Sequence, residues 1–351
     1  MDKVGVAVIG LGAMGKEHAN FFKQDIRGAR LVAVVDQIRG LAESVGSQLG
    51  VKPYTTIDEA VKDPDVDVVC IATPTYLHVP QALYALEYGK HVLVEKPMST
   101  TILGARQIIA RARKKGLKLG VDFMERYSDG MLKLKSAISK GDLGKVFLIE
   151  GENMEWRDEK TYYLRDQPAR SWRGMWETEG GGALTNQGIH NIDSIIALAG
   201  QAKEVAAFVR NLTHPSVEVE DNGVAVMTFE KGYLGRITHS VSTRPDGAQF
   251  RRIRVYGSEG QAEITGHELT LLKTAKENVV SAHRWQEETE GDYHTLYVRL
   301  IQDFIDSILE DREFQVNGEE GIKSLELIKA IYLSSQTHQV VTLPLEVEAV
   351  I

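Results

Sequence analysis

The chain has 351 residues, 43% hydrophobic and 26% charged, with a net charge of −8; that is long for a single core, and two domains are expected. The acid excess, without any basic block, argues against a nucleic-acid partner. A lone cysteine, Cys70 in the apolar run VDVVCIA, excludes an internal disulfide and reads as a small core residue. No apolar run is long enough to span a membrane, and strand-like residues begin almost at once, so the expectation is no signal peptide, no membrane partner and a cytoplasmic location.

Taken in order, Val4 to Ile9 is a β-branched run that leads straight into Gly10-Leu11-Gly12-Ala13-Met14-Gly15. A helix is predicted from Met14 to about Asp25, and a second strand from Leu31 to Val35, ending on Asp36. Strand, glycine turn, helix, strand and acid form the dinucleotide-binding fingerprint in its required context. Gly10 permits the tight turn, Gly12 lets backbone approach a pyrophosphate, and Gly15 lets helix and strand pack closely. The helix N-terminus then faces the phosphates. Asp36 is placed to accept from the adenine-ribose hydroxyls, which favours NAD over NADP; Gln37 follows it, and Arg39 tempers the preference because it can stack on adenine or reach a phosphate.

A helix over Gln37 to Leu49, an edge strand at Pro53-Tyr54 and a short helix over Ile57 to Val61 come next. Val66 to Ala72 is apolar throughout, the mark of a buried parallel strand. Leu77 to Tyr88 is helical, His91 to Val94 a strand, Leu103 to Lys115 helical, and Leu117 to Val121 closes the series. These elements make a doubly wound, Rossmann-type parallel sheet over residues 1–123. Ligands of such sheets sit beyond the carboxyl ends of the strands. Beside Asp36, those ends offer Ala72-Thr73-Pro74, with Leu77 and His78 just beyond, and Glu95-Lys96-Pro97. Lys96 there can donate a hydrogen bond to a substrate hydroxyl and stabilise charge on its oxygen.

After Phe123 the pattern changes. A helix from Ser128 to Lys140 precedes strands at Val146–Asn153, Glu204–Arg210, Val224–Phe229, Leu234–Val241, Arg251–Gly257, Gln261–Thr265 and Glu268–Leu272. Short turns join most of them, so residues 124–351 are expected to form an α/β domain with a large, mainly antiparallel open sheet. Helices near 183–199, 293–310 and 318–337 should cover one face and leave the other open to an oligomer partner. Arg157 to Glu179 reads as a long functional loop. Gly180 to Gly182 read as a flexible lead into an apolar helix in which Asn186, His190 and Asp193, spaced i, i+4 and i+7, share one polar face. Tyr163, Trp172, Arg173 and Asn186 are substrate-side candidates, with His294 a weaker one. No group of His, Cys, Asp and Glu has metal-ligand spacing, so no metal is expected.

GxGxxG, Asp36, Glu95-Lys96-Pro97, Trp172-Arg173-Gly174, Gly180-Gly-Gly-Ala-Leu-Thr-Asn186-Gln-Gly-Ile-His190-Asn-Ile-Asp193 and the closing Asp303-Phe304…Val340-Val-Thr-Leu-Pro344 together resemble the glucose–fructose oxidoreductase / inositol dehydrogenase / MocA family over nearly the whole chain. The resemblance implies NAD(P)-dependent oxidation or reduction of a sugar, cyclitol or sugar-derivative hydroxyl, by homodimers or homotetramers built through the C-terminal sheet. It implies a cis peptide before Pro97 and a proton-handling pair of Lys96 and His190, both also in contact with substrate. Asn186 stands where many members carry Asp, so the base role falls on His190, tuned by Asp193, or on Lys96. Asp122 and Glu125 stand where relatives often have glycine and a basic residue. An NAD-retaining redox-assisted lyase and a non-enzymatic NAD-dependent sensor are the other readings open to this fold.

Overall fold

The computed structural model describes residues 3–164, 172–243, 250–274, 278–280 and 290–345. The chain forms two units, one of Met1–Phe123 with Tyr297–Ile322 and one of Met124–Leu296 with Lys323–Ile351.

In the first unit the order is β1 (Val4–Ile9), α1 (Ala13–Gln24), β2 (Ala29–Val35), α2 (Arg39–Leu49), β3 (Lys52–Tyr54), α3 (Ile57–Lys62), β4 (Val68–Ile71), α4 (His78–Glu87), β5 (His91–Val94), α5 (Ile102–Lys115) and β6 (Leu119–Val121). The strands lie in the order β3-β2-β1-β4-β5-β6 and every pair is parallel. The central strands β1 and β4 are buried along their whole length. This explains their unbroken apolar sequence, since helices cover both faces. Local chemistry sets the ends of the helices. Thr56 and Glu59 form a capping box on α3, the Thr101 hydroxyl caps α5, and Gly50 and Gly116 end α2 and α5 in the left-handed region.

A simple division after residue 123 therefore needs correction, because Tyr297–Ile322 packs with the first unit. The reason is steric. Phe304 and Phe314 meet edge to face at 5.2 Å and close over Gly120, where a Cβ would lie 2.8 Å from each ring. Val121 N–H also donates to Val316 O at 2.9 Å. The helix expected near 293–310 thus gives much of its length to the Rossmann unit.

The second unit contains α6 (Asp129–Ser139), β7 (Val146–Met154), α7 (Trp176–Glu179), α8 (Ile189–Ala199), β8 (Ala202–Arg210), β9 (Asn222–Phe229), β10 (Leu234–Ser240), β11 (Phe250–Gly257), β12 (Gly260–Thr265), β13 (Glu268–Thr274) and β14 (Asn278–Val280). Helices α9 (Glu290–Leu309) and α10 (Gly318–Thr337) follow, then β15 (Val341–Thr342). The nine strands run β14-β13-β12-β11-β7-β10-β9-β8-β15, antiparallel except for the parallel pair β7 and β10. Burial alternates along β9, as a sheet covered on one face requires. Gly151 lets α8 sit close on β7, since a Cβ there would meet Asn191 Oδ1 at 2.1 Å and Ile195 Cδ1 at 2.4 Å. On the other face Phe147, Phe208, Val224, Val226 and Leu234 are exposed. The short strands β14 and β15 were not visible in the sequence pattern.

Candidate active site

The glycine turn has the geometry of a dinucleotide cradle. Gly10 has φ +88°, and a Cβ there would meet Thr73 Cγ2 at 2.8 Å and Ala72 O at 2.9 Å. A Cβ on Gly15 would lie 1.7 Å from Gly10 O, whereas one on Gly12 would meet nothing within 4 Å. Gly12 is the N-cap of α1, and no acidic residue occupies the first turn. The open side of the loop is thus the one that faces a pyrophosphate, at a helix N-terminus with no competing charge. Asp36 accepts the backbone N–H of Leu11 at 2.9 Å and that of Ile38 at 2.9 Å. Those bonds fix the carboxylate with lone pairs left for a ribose. Arg39 is largely exposed, with Glu43 3.8 Å away.

Two further strand ends of this unit are tied together. His78 ring nitrogens lie 2.8 Å from Thr73 O and 2.8 Å from Pro97 O. The peptide between Lys96 and Pro97 is cis, as the resemblance implied. Lys96 is half-buried, and its backbone N–H donates to Glu95 Oε2 at 3.2 Å. The other Glu95 oxygen is 3.0 Å from His18 Nε2, and Asp122 Oδ2 lies 3.3 Å from the same nitrogen. Sequence reasoning missed this trio, because its members stand far apart in the chain on α1, after β5 and after β6.

In the second unit the three glycines are a buried junction, not a flexible lead-in. A Cβ on Gly181 would collide with Thr185 Oγ1 and Tyr332 Oη, each at 2.2 Å, and one on Gly182 with Glu220 O at 1.8 Å. Glu220 accepts from Gly182 N at 2.7 Å, Leu184 N at 2.8 Å and Tyr332 Oη at 3.0 Å. Burial nevertheless pushes its carboxyl up to about 7.

Leu184–Gly188 forms a π turn ahead of α8, so the spacing of an ordinary helix does not carry through from Asn186 to His190. Asn186 Nδ2 donates to Glu179 Oε1 at 2.5 Å, and its Oδ1 accepts from Tyr162 Oη at 3.1 Å and Gln187 Nε2 at 3.2 Å. His190 follows on the first turn of α8, 3% exposed. Asp193 is bound otherwise than expected. Arg126 grips it with Nε to Oδ2 at 2.7 Å and Nη2 to Oδ1 at 2.8 Å, and Ser324 donates to Oδ1 at 2.9 Å. It anchors Arg126.

The aromatic candidate shifts by one residue. Tyr163 is 3% exposed, packs with Val217 and Val219 and is a core residue. Its neighbour Tyr162, which the sequence reading passed over, carries the polar contacts. Arg173 Nη1 donates to Tyr162 Oη at 2.5 Å, and its guanidinium lies 4.5 Å from the ring centres of both Tyr162 and Trp172. Glu179 completes the set by accepting Gly174 N at 2.6 Å. Both tyrosines stand in a π turn, Glu159–Tyr163, within the stretch read from the sequence as a loop. His294 is exposed on α9. Among the described residues, no helix is long and apolar enough to cross a membrane.

Residues 4–123 match the NAD-binding Rossmann-fold model of the Gfo/Idh/MocA oxidoreductase family, and residues 135–343 match the C-terminal alpha/beta domain model of the same family. The chain belongs to this family, and its first domain is an NAD-binding Rossmann domain. Similar proteins include scyllo-inositol 2-dehydrogenase (NAD(+)) of Bacillus subtilis, 28% identical with 91% of this chain and 92% of that protein covered. Another is myo-inositol 2-dehydrogenase of Thermotoga maritima, 26% identical with 91% and 92% covered. Among solved structures, the WlbA dehydrogenase of Bordetella pertussis in complex with NADH and UDP-GlcNAcA is 26% identical, covers 98% of this chain and 100% of its own, and superposes with a TM-score of 0.85.

Proposed function

We propose that the protein is a dehydrogenase that transfers hydride between a secondary hydroxyl of a sugar, cyclitol or sugar derivative and NAD. The observation that carries this reading is Lys96 at a strand end of an NAD-binding sheet, in a chain that also places His190 directly after a polar, aromatic-lined turn. Bound nicotinamide supplies the hydride acceptor. His190 accepts the hydroxyl proton, while Lys96 donates a hydrogen bond to the same oxygen and stabilises the charge that develops on it. Asn186 is an amide and takes no proton; Glu179 fixes its orientation, and its Oδ1 holds the Tyr162 hydroxyl in place. Trp172 and Tyr162 suit sugar faces, and Arg173 suits hydroxyl or carboxylate oxygens. The named relatives, inositol dehydrogenases among them, support the substrate class.

The reading includes a cytoplasmic homodimer or homotetramer joined through the outer face of the nine-stranded sheet, where the exposed apolar residues cluster. Light scattering on the purified protein tests it, and a monomer at all concentrations refutes it. Substrate class is tested by NADH formation, NAD against NADP, across inositol isomers, aldoses, sugar acids and nucleotide sugars. Turnover on one group with NAD supports the reading. No net NADH, with NAD retained through purification, would replace it with redox-assisted bond cleavage.

A further inference from the structure

In the Rossmann unit, behind Lys96, two carboxyl groups share one imidazole. His18 Nε2 is 3.0 Å from Glu95 Oε1 and 3.3 Å from Asp122 Oδ2, and all three residues are buried. A single N–H cannot serve both acids fully. Glu95 has a second donor in the backbone of Lys96. Asp122 is 1% exposed, and neither of its oxygens accepts a hydrogen bond from any described residue. The other titratable groups facing the trio are Glu17 on α1 beside His18, Cys70 from β4, His78 from α4 and Lys96 itself, whose charge acts on both acids. Tyr297 covers the imidazole edge-on at 5.7 Å.

Two carboxylates around one imidazolium would leave a buried negative charge, which desolvation penalises. A proton on Asp122 removes it. We propose that this trio holds one exchangeable proton on Asp122, and that Asp122 is thereby a positioning residue for Lys96, setting the charge against which the lysine keeps or loses its own proton. The proposal rests on the assignment of Lys96 to catalysis made above. The electrostatics agree with the geometry. Burial and the charge of Glu95 push Asp122 up to about 8, while His18 is raised and Glu95 lowered. Below that pH Asp122 is an acid and the trio carries one negative charge fewer than with both carboxyl groups ionised. Above it Asp122 releases its proton to solvent, the trio gains one negative charge, and Lys96 is held as an ammonium. The lysine then remains a hydrogen-bond donor as the pH rises.

The test is competitive acetylation of the intact protein with acetic anhydride, read by mass spectrometry, with Lys96 compared against exposed Lys114 as the pH is raised. At about pH 9, Asp122→Asn should make Lys96 about threefold or more as reactive relative to Lys114, because the holding charge is gone. An unchanged ratio overturns the proposal. So does Lys96 reactivity that depends on divalent cations and responds to EDTA, since a cation would then occupy the proton's place. Infrared spectra of the wild type give a second route that needs no variant. A buried carboxylic-acid carbonyl band should vanish as the pH rises through about 8, and its absence at every pH overturns the proposal. Turnover of Lys96→Ala separates the two assignments: if activity persists while the labelling shift holds, the catalytic reading fails and the electrostatic one stands.

Discussion

One methyl group added at either of two glycines three residues apart should have opposite effects. At Gly15 a Cβ would stand 1.7 Å from Gly10 O and 2.8 Å from Gly10 C, both backbone atoms. Strand and helix would have to separate by about 1.5 Å to restore contact distance, so Gly15→Ala should cost about 3 kcal/mol or more, at or above the usual range for overpacking. At Gly12, φ is −65° and ψ −164°, a conformation any residue adopts, and nothing lies within 4 Å. The gain from a stiffer unfolded chain and the weaker N-cap nearly cancel, leaving a change within about 0.5 kcal/mol. The added methyl does occupy the side of the loop on which a pyrophosphate must lie, and NAD affinity should fall about 100-fold, or about 2.7 kcal/mol. The assay is thermal unfolding with and without NAD, alongside calorimetric titration. At NAD equal to about 100 times the wild-type Kd, the wild type gains about 2.7 kcal/mol and Gly12→Ala only about 0.4 kcal/mol. If Gly12→Ala binds NAD within about threefold of wild type, or Gly15→Ala unfolds with it, the reading of the loop is wrong.

Contacts in the second unit set further expectations. Asp193→Ala removes the two-pronged ion pair between buried Asp193 and half-buried Arg126 and should cost about 3 kcal/mol by denaturant unfolding, yet leave kcat of the folded enzyme near normal; a large kcat loss with intact stability would return Asp193 to catalysis. Tyr162→Phe should raise KM severalfold with little change in melting temperature, because it removes one hydroxyl bonded to Asn186 and Arg173. Tyr163→Ala should instead destabilise by about 3 kcal/mol, as a core aromatic does. Glu220, raised from 4.5 to about 7, favours the folded state as an acid. Its contribution is complete below about pH 4.5 and is lost as the pH rises to 7, up to about 3 kcal/mol. Glu220→Gln should flatten that part of the stability profile, and an equal slope in both proteins would refute the assignment.

How much of this could be read from the sequence depended on how local the chemistry was. The Rossmann cradle is written in consecutive residues, and Asp36 meets Leu11 across one strand-helix-strand unit, so spacing alone exposed it. Lys96 was legible for the same reason, as the residue just past a strand end. The second unit is built from partners far apart in the chain. Arg126 reaches Asp193 and Glu220 threads beneath Gly182, and in the first unit His18 likewise meets the distant Asp122. No periodicity reports such pairings. Two π turns compound this, at Glu159–Tyr163 and Leu184–Gly188. The second shifts Asn186 off the face that a 3.6-residue repeat assigns it, and the first lies in a stretch read as a loop, where nothing in the sequence separates Tyr162 from Tyr163. The three glycines invited a reading of flexibility, whereas their lack of a side chain is needed for close packing.

The central claim is that Lys96 and His190 handle the proton of the oxidised hydroxyl. It is tested most directly by steady-state NADH formation with Lys96→Ala and His190→Ala, on a substrate identified with the wild type, alongside calorimetric NAD titration of each variant. Both variants should lose about 100-fold or more in kcat, as removal of acid–base catalysis entails, with NAD affinity within about threefold of wild type. Near-normal turnover in either variant would contradict the role given to that residue, and near-normal turnover in both would remove the proposed mechanism.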